Sequence, residues 1–196
     1  MNSSEIVITT VCIVLSTYIV VTFNQFVLLR ARLRNAFSQI DVQLKRRYDL
    51  IPNLVATAKG YMRYEQETLE RVIRARNTAI HHAAIARQNI GDGEGLQRLM
   101  ASEAVLTHSL GRLAVTFERY PELKSDRNMA ILMGEMTSTE NKIGFARQGY
   151  NDAVMEYASK RESFPSNLVA ALFRFRNVAL FQIENPAVRE GIRVEF

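Results

Sequence analysis

The chain has 196 residues, 25 Lys and Arg against 20 Asp and Glu, and a net charge of +5. One cysteine and no tryptophan exclude an internal disulfide and a cysteine-built metal cluster. Acids and bases alternate along most of the length, so the basic excess leaves no nucleic-acid footprint.

Residues 6–29 read IVITTVCIVLSTYIVVTFNQFVLL, 24 positions without a charge. As a helix that run is about 36 Å long, against about 30 Å of bilayer hydrocarbon. A cleaved signal peptide fits poorly: Glu5 precedes the run with no Lys or Arg, the run is too long, and no small-residue cleavage motif closes it. The reading is a retained transmembrane helix behind a short outer N-terminus at 1–5. Arg30, Arg32 and Arg34 follow it, then Lys45, Arg46 and Arg47. Positive flanks stay in the cytoplasm, so everything from Arg30 on is expected there. The membrane-proximal arginines are topology determinants, with anionic headgroups as a further partner. Thr9, Thr10, Ser16, Thr17 and Asn24 are polar residues a span tolerates through backbone hydrogen bonds.

The soluble part reads as helices. Leu33, Phe37, Ile40, Leu44, Arg47, Ile51, Leu54 and Ala58 recur in steps of four and three. The stripe keeps phase across Pro52, which predicts one helix leaving the membrane and running to about Lys59, with Gly60 as its stop. Proline removes the backbone bond to Tyr48 and kinks the helix there; a break at Pro52 is the alternative. A second helix is expected over 64–89, with Glu65, Leu69, Val72, Arg76, Ile80 and Ala83 facing inward. GDGEG at 91–95 is expected to oppose helix. A third helix carries Leu96, Leu99, Glu103, Leu106, Leu110, Leu113, Phe117 and Tyr120 and stops at Tyr120-Pro121. A fourth starts at an Asp126 cap and runs to about Ser163, with Met129, Met136, Ile143, Tyr150 and Tyr157 at successive sevens. Residues 167–172 add a short helix. From Phe173 onward the chain is too apolar for a free tail and should lie along the helices or on a neighbouring subunit. The expected fold is all-α: a transmembrane helix continuing into an elongated antiparallel four-helix bundle over 30–165, then a short helix and extended tail over 166–196.

Several separated segments then carry a resemblance: RRYDLIPNLVATAKGY at 46–61, Glu65, LERV at 69–72, ERYPELKS at 118–125, TENKIGFARQGYN at 139–151, FPSNL at 164–168 and the terminal VEF. Together they closely resemble the LemA family of bacterial membrane-anchored helical proteins, from about Leu33 to the C-terminus. Tyr64 departs from the family pattern, which commonly places His before the Glu. The resemblance implies a bacterial inner-membrane or plasma-membrane protein with an outward N-terminus and a cytoplasmic bundle. It brings no established reaction. One branch, the MamQ-type proteins, works in building magnetosome membranes, which makes membrane organisation a family-level expectation.

The sequence offers little catalytic chemistry. No phosphate-binding glycine loop, nucleophile elbow or HExxH occurs, and His81, His82 and His108 lack metal-ligand spacing. No cofactor or metal is expected. The polar residues inside the shared motifs are the candidates: Arg46, Arg47, Asp49 and Asn53 on the first helix, Glu103 on the third, and Glu140, Asn141, Arg147 and Asn151 on the fourth. Arg47 and Glu103 interrupt apolar rows, where a charge must be paired. They are read as a buried network fixing register between helices one, three and four; a partner or small-ligand pocket is the rival reading, and an acid/base pair a third. Phe173, Arg174, Phe175 and Arg176 alternate aromatic and basic, as a membrane-surface or subunit contact would; packing on the protein's own helices is the plain alternative. The expected role is non-enzymatic scaffolding or membrane organisation by self-association and helix-mediated protein contacts, with a homo-oligomer and the lipid bilayer as partners. A membrane-anchored signalling adaptor and a MamQ-like role in magnetosome membrane formation are the alternatives.

Overall fold

The computed structural model describes residues 2–181. Six helices follow in chain order: α1 (Ser3–Tyr61), α2 (Gln66–Gln88), α3 (Gly93–Phe117), α4 (Pro121–Lys124), α5 (Arg127–Glu162) and α6 (Ser166–Leu172). Among the described residues all regular structure is helical, and the N-terminal helix carries the one long apolar run.

α1 spans 59 residues, about 88 Å by helical rise. Its first third is bare: every side chain from Ile6 to Thr17 is exposed. From Thr22 on, a row of Phe26, Leu29, Leu33, Phe37, Ile40, Leu44, Arg47, Ile51, Leu54 and Ala58 is buried, following the three-and-four spacing that keeps one face inward. The helix passes through Pro52 without a break. Proline has no N–H to give to the Tyr48 carbonyl, and Arg76 of α2 supplies a replacement, its Nε donating to that oxygen at 2.6 Å. Gly60 is not the stop. The helix continues to Tyr61, where the Met62 amide closes the last turn on Ala58 and the buried Met62 side chain pins the end.

The turn after α2 also differs from expectation. Gly91 takes φ +99°, but Gly93 and Gly95 belong to the first turn of α3. Asp92 caps that turn, its carboxylate accepting from the Gly95 amide at 3.1 Å, which offsets the poor helix propensity of the glycines. α3 ends at Phe117, short of Tyr120, and Pro121 opens the single turn α4. Asp126 caps α5, accepting from the Met129 amide at 2.8 Å.

α1 and α5 run antiparallel. Phe26 meets Tyr157, Phe37 meets Tyr150, and Arg46 pairs with Glu135. α2 lies antiparallel on the other flank of α1, with Arg87 on Asp41 at 3.2 Å, and α3 packs along α2. Close backbone contacts therefore join α5 to α1, α1 to α2 and α2 to α3. α3 reaches α1 through long side chains, and those side chains form the polar centre of the protein.

Candidate functional site

Arg47 occupies the buried row of α1 between Leu44 and Ile51; Glu103 occupies the buried row of α3 between Leu99 and Leu106. Their side chains are 1% and 2% exposed. Arg47 Nη1 lies 3.1 Å from Glu103 Oε2 and 3.1 Å from Glu140 Oε2 of α5, and Nη2 donates to Thr107 Oγ1 at 2.8 Å. The Tyr48 hydroxyl donates to the second Glu103 oxygen. One guanidinium thus ties three helices, and each Glu103 oxygen has a donor.

Burial dominates the electrostatics. Desolvation pushes Glu103 above the usual carboxylate range, and the Arg47 charge, the Tyr48 hydrogen bond and Arg147 only partly pull it back. Tyr48 is raised by burial and then by the Glu103 charge, so it stays a donor. Arg147 of α5 is lowered, first by desolvation, against the attraction of Glu103 and Glu140. The Nε atoms of Arg47 and Arg147 are buried without a hydrogen-bond partner. The network is therefore incompletely satisfied, and its expected contribution is to register more than to stability.

Arg147 also joins the network to the tail. Its guanidinium lies 4.8 Å from the centre of the Phe181 ring. Asn151, one turn on, brackets the Phe181 backbone: its amide donates to the carbonyl at 3.1 Å and its oxygen accepts from the N–H at 2.7 Å. Tyr150 and Tyr157 donate to the carbonyls of Ala179 and Arg176 at 3.2 and 2.9 Å. Residues 175–181 are thereby strapped onto α5, with Phe175 stacked on Phe26 at 4.6 Å. Val178 and Ala179 cover Gly91 and Gly93 of the α2–α3 turn.

The sequence candidates separate into groups. Arg47, Glu103, Glu140 and Arg147 come together. Arg46 turns outward to Glu135. Asp49, Asn53 and Asn141 are exposed and stand apart from the network; the shared motifs contain them, but the helical period puts them on solvent faces. Asn151 serves the tail. Of the proximal arginines, Arg32 pairs with Glu156 at 2.7 Å, Arg30 lies 5.7 Å above the Phe175 ring, and Arg34 is exposed. Phe175 is buried against the protein's own helices, whereas Phe173, Arg174 and Arg176 are exposed. The remaining tail, 182–196, lies outside the described residues. Tyr48, Thr107 and Arg76 were not foreseen as network members. Thr107 sits four residues after Glu103, on the same helical face, which is the signal that could have found it.

A separate cleft lies away from this network. It has about 570 Å³ between the end of α1 and the start of α2, lined by Val55, Met62, Leu69 and Ile73, and contains none of the candidate residues.

Comparison with known proteins places this architecture. Residues 36–196 match the profile of the LemA family. The chain is 24% identical over 180 residues to magnetosome protein MamQ 2 of Paramagnetospirillum magneticum, covering 84% of this chain and 66% of that protein. It is 25% identical over 150 residues to protein LemA of Metamycoplasma hominis, covering 76% of this chain and 64% of the relative. A MamQ of Magnetospirillum gryphiswaldense is 22% identical over 186 residues, covering 87% and 68%. The chain spans about two thirds of the length of these curated relatives.

Proposed function

The chain belongs to the LemA family, and on that footing we propose that it is a non-enzymatic, single-pass membrane protein that organises membrane by self-association and by helix-mediated contacts with other proteins. In this reading residues 6–29 cross the bacterial inner membrane with the N-terminus outside. The helices beyond form an elongated antiparallel four-helix bundle in the cytoplasm. The observation that carries the reading is the bare run at the head of α1: its most apolar 18-residue window is only 6% buried, while the same helix is packed from Thr22 to Ala58. A long exposed apolar surface continuous with a folded part needs lipid around it. Confinement to two dimensions raises the effective concentration of copies, so weak contacts between helical parts suffice to assemble them. Three of the relatives carry magnetosome in their names, and a MamQ-like role in forming such a membrane is the specialised version of the proposal. Amine-reactive crosslinking in native membranes tests it: a ladder of self-crosslinked species is expected, and an unlinked monomer at native abundance would overturn it.

A second reading is favoured by one feature. α1 runs unbroken from Ser3 to Tyr61, and its Arg47 and Tyr48 touch α3 directly. A rigid rod with that coupling suits an adaptor that passes a state across the membrane. Pro52→Ala should then change the output, and an unchanged output would remove this reading.

A further inference from the structure

The covered part of α1 begins inside the proposed span. Tyr18, Ile19 and Phe23 are half-buried and Thr22 is 2% exposed. α6 lies against α1 and the end of α5, facing Tyr18 and Ile19, while Phe173 and Phe175 cover Phe23. An apolar groove of about 540 Å³ runs between α1 and α6, with Val14, Leu15 and Tyr18 on one wall and Leu168, Val169 and Leu172 on the other.

Length decides where this pair must sit. The bare stretch, Ile6 to Thr17, is twelve residues, about 18 Å of helix, and cannot cross about 30 Å of hydrocarbon. A span that does cross has to include Tyr18 to Phe23, and α6 is fixed beside those residues. A span of about 20 residues begun at Ile6 ends at Gln25, which is level with Lys160; Tyr18 lies seven residues inside that end, about 10 Å of helix, which takes α6 into the cytoplasmic half of the bilayer.

The chemistry of the segment agrees. Residues 163–173, SFPSNLVAALF, carry no charge and are flanked by Lys160, Arg161 and Glu162 on one side and Arg174 and Arg176 on the other. Its large apolar side chains face outward: Phe164, Leu168, Leu172 and Phe173 are 80%, 62%, 67% and 45% exposed, with Ser163 and Asn167 the polar residues exposed beside them. Ser166 turns inward. Its Oγ bonds the Lys160 and Ser163 carbonyls at 2.6 and 2.9 Å, and the amides of Asn167, Leu168, Phe173, Arg174 and Phe175 all find backbone acceptors. Non-spanning backbone survives at membrane depth only when so satisfied. Phe173 packs on Phe23 at 4.9 Å and Arg30 lies over Phe175, so Arg30, Arg174 and Arg176 converge at one level, where anionic headgroups lie.

We propose that residues 163–173 form a re-entrant element inserted into the cytoplasmic leaflet beside the span, with α6 among the acyl chains and the arginines at the headgroups. This rests on the membrane-anchored reading above. The chain has no tryptophan, so single-indole variants report depth directly. Leu168→Trp and, at a more exposed site, Phe164→Trp are made in the full-length chain. Val14→Trp marks the span and Phe145→Trp on α5 marks the aqueous part. Each is reconstituted into phosphatidylglycerol–phosphatidylcholine vesicles with or without lipids brominated in mid-chain. The indoles at 168 and 164 are expected to lose most of their fluorescence to the bromolipid, as at position 14, while position 145 keeps its own. Indoles at 164 and 168 quenched by aqueous iodide and not by bromolipid, with position 14 still quenched by lipid, would overturn the re-entrant element and leave the anchor standing. No lipid quenching at position 14 would overturn both.

Discussion

Arg47→Met is the sharpest perturbation of the polar centre. It removes the cation that touches Glu103, whose side chain is 2% exposed, and leaves the carboxylate with the Tyr48 hydroxyl alone as direct partner. Stranding one member of a buried pair costs about 3–5 kcal/mol, which in a domain of this size lowers Tm by about 6–20 °C. Burial already holds Glu103 above the ordinary carboxylate range against the pull of Arg47, so losing Arg47 raises it further. A group with a raised folded pKa is most favourable below its unfolded value and loses that stabilisation as pH rises through the folded one. The Arg47→Met penalty should therefore be small in acid and grow toward neutral pH. Adding Glu103→Gln, which keeps an acceptor for Tyr48 and removes the charge, should recover most of the loss. The assay is thermal unfolding of the full-length protein in mild detergent, followed by circular dichroism across pH. A penalty independent of pH, or one that Glu103→Gln fails to relieve, would refute the reasoning.

Glu103→Gln alone should cost less than about 1 kcal/mol at neutral pH, because Arg47 keeps Glu140 and Thr107; its Tm should gain on the wild type as pH rises through the raised Glu103 value, and parallel profiles would contradict this. Arg76→Met should cost about 1–2 kcal/mol by leaving the Tyr48 carbonyl without a donor. The same change in a Pro52→Ala background should cost less, since the amide at position 52 then supplies the bond, and equal costs in a double-mutant cycle would show that Arg76 does not compensate for the proline. Asn151→Ala removes both hydrogen bonds to Phe181 and should free the strap locally. Tryptic cleavage at Arg176 should accelerate while the global Tm moves little, and unchanged cleavage would mean that the tyrosine hydrogen bonds and aromatic contacts hold the strap without Asn151.

What was legible in the sequence follows from periodicity. The inward row of α1 could be read because its spacing persists for many turns, and Arg47 and Glu103 stood out because a charge in an apolar row needs a partner. Asp126 was visible as a cap. Asp92 was not, because the glycines beside it argue against helix until the cap is counted. Asp49, Asn53 and Asn141 came forward through shared motifs, with no periodic argument to bury them. Arg76 could be placed inward on α2, but its acceptor is a carbonyl orphaned by a proline on another helix, and only the packing of α1 on α2 brings them together. The strap and α6 have no long period to read. Their positions are set by tyrosine hydroxyls, an Asn side chain and aromatic rings contributed from α1 and α5.

The mass of the full-length protein in mild detergent, measured by light scattering with the detergent contribution subtracted, tests the central claim of self-association most directly. A discrete multiple of the 22.3 kDa chain is the predicted result. A protein mass of a single chain across the accessible concentration range would contradict it.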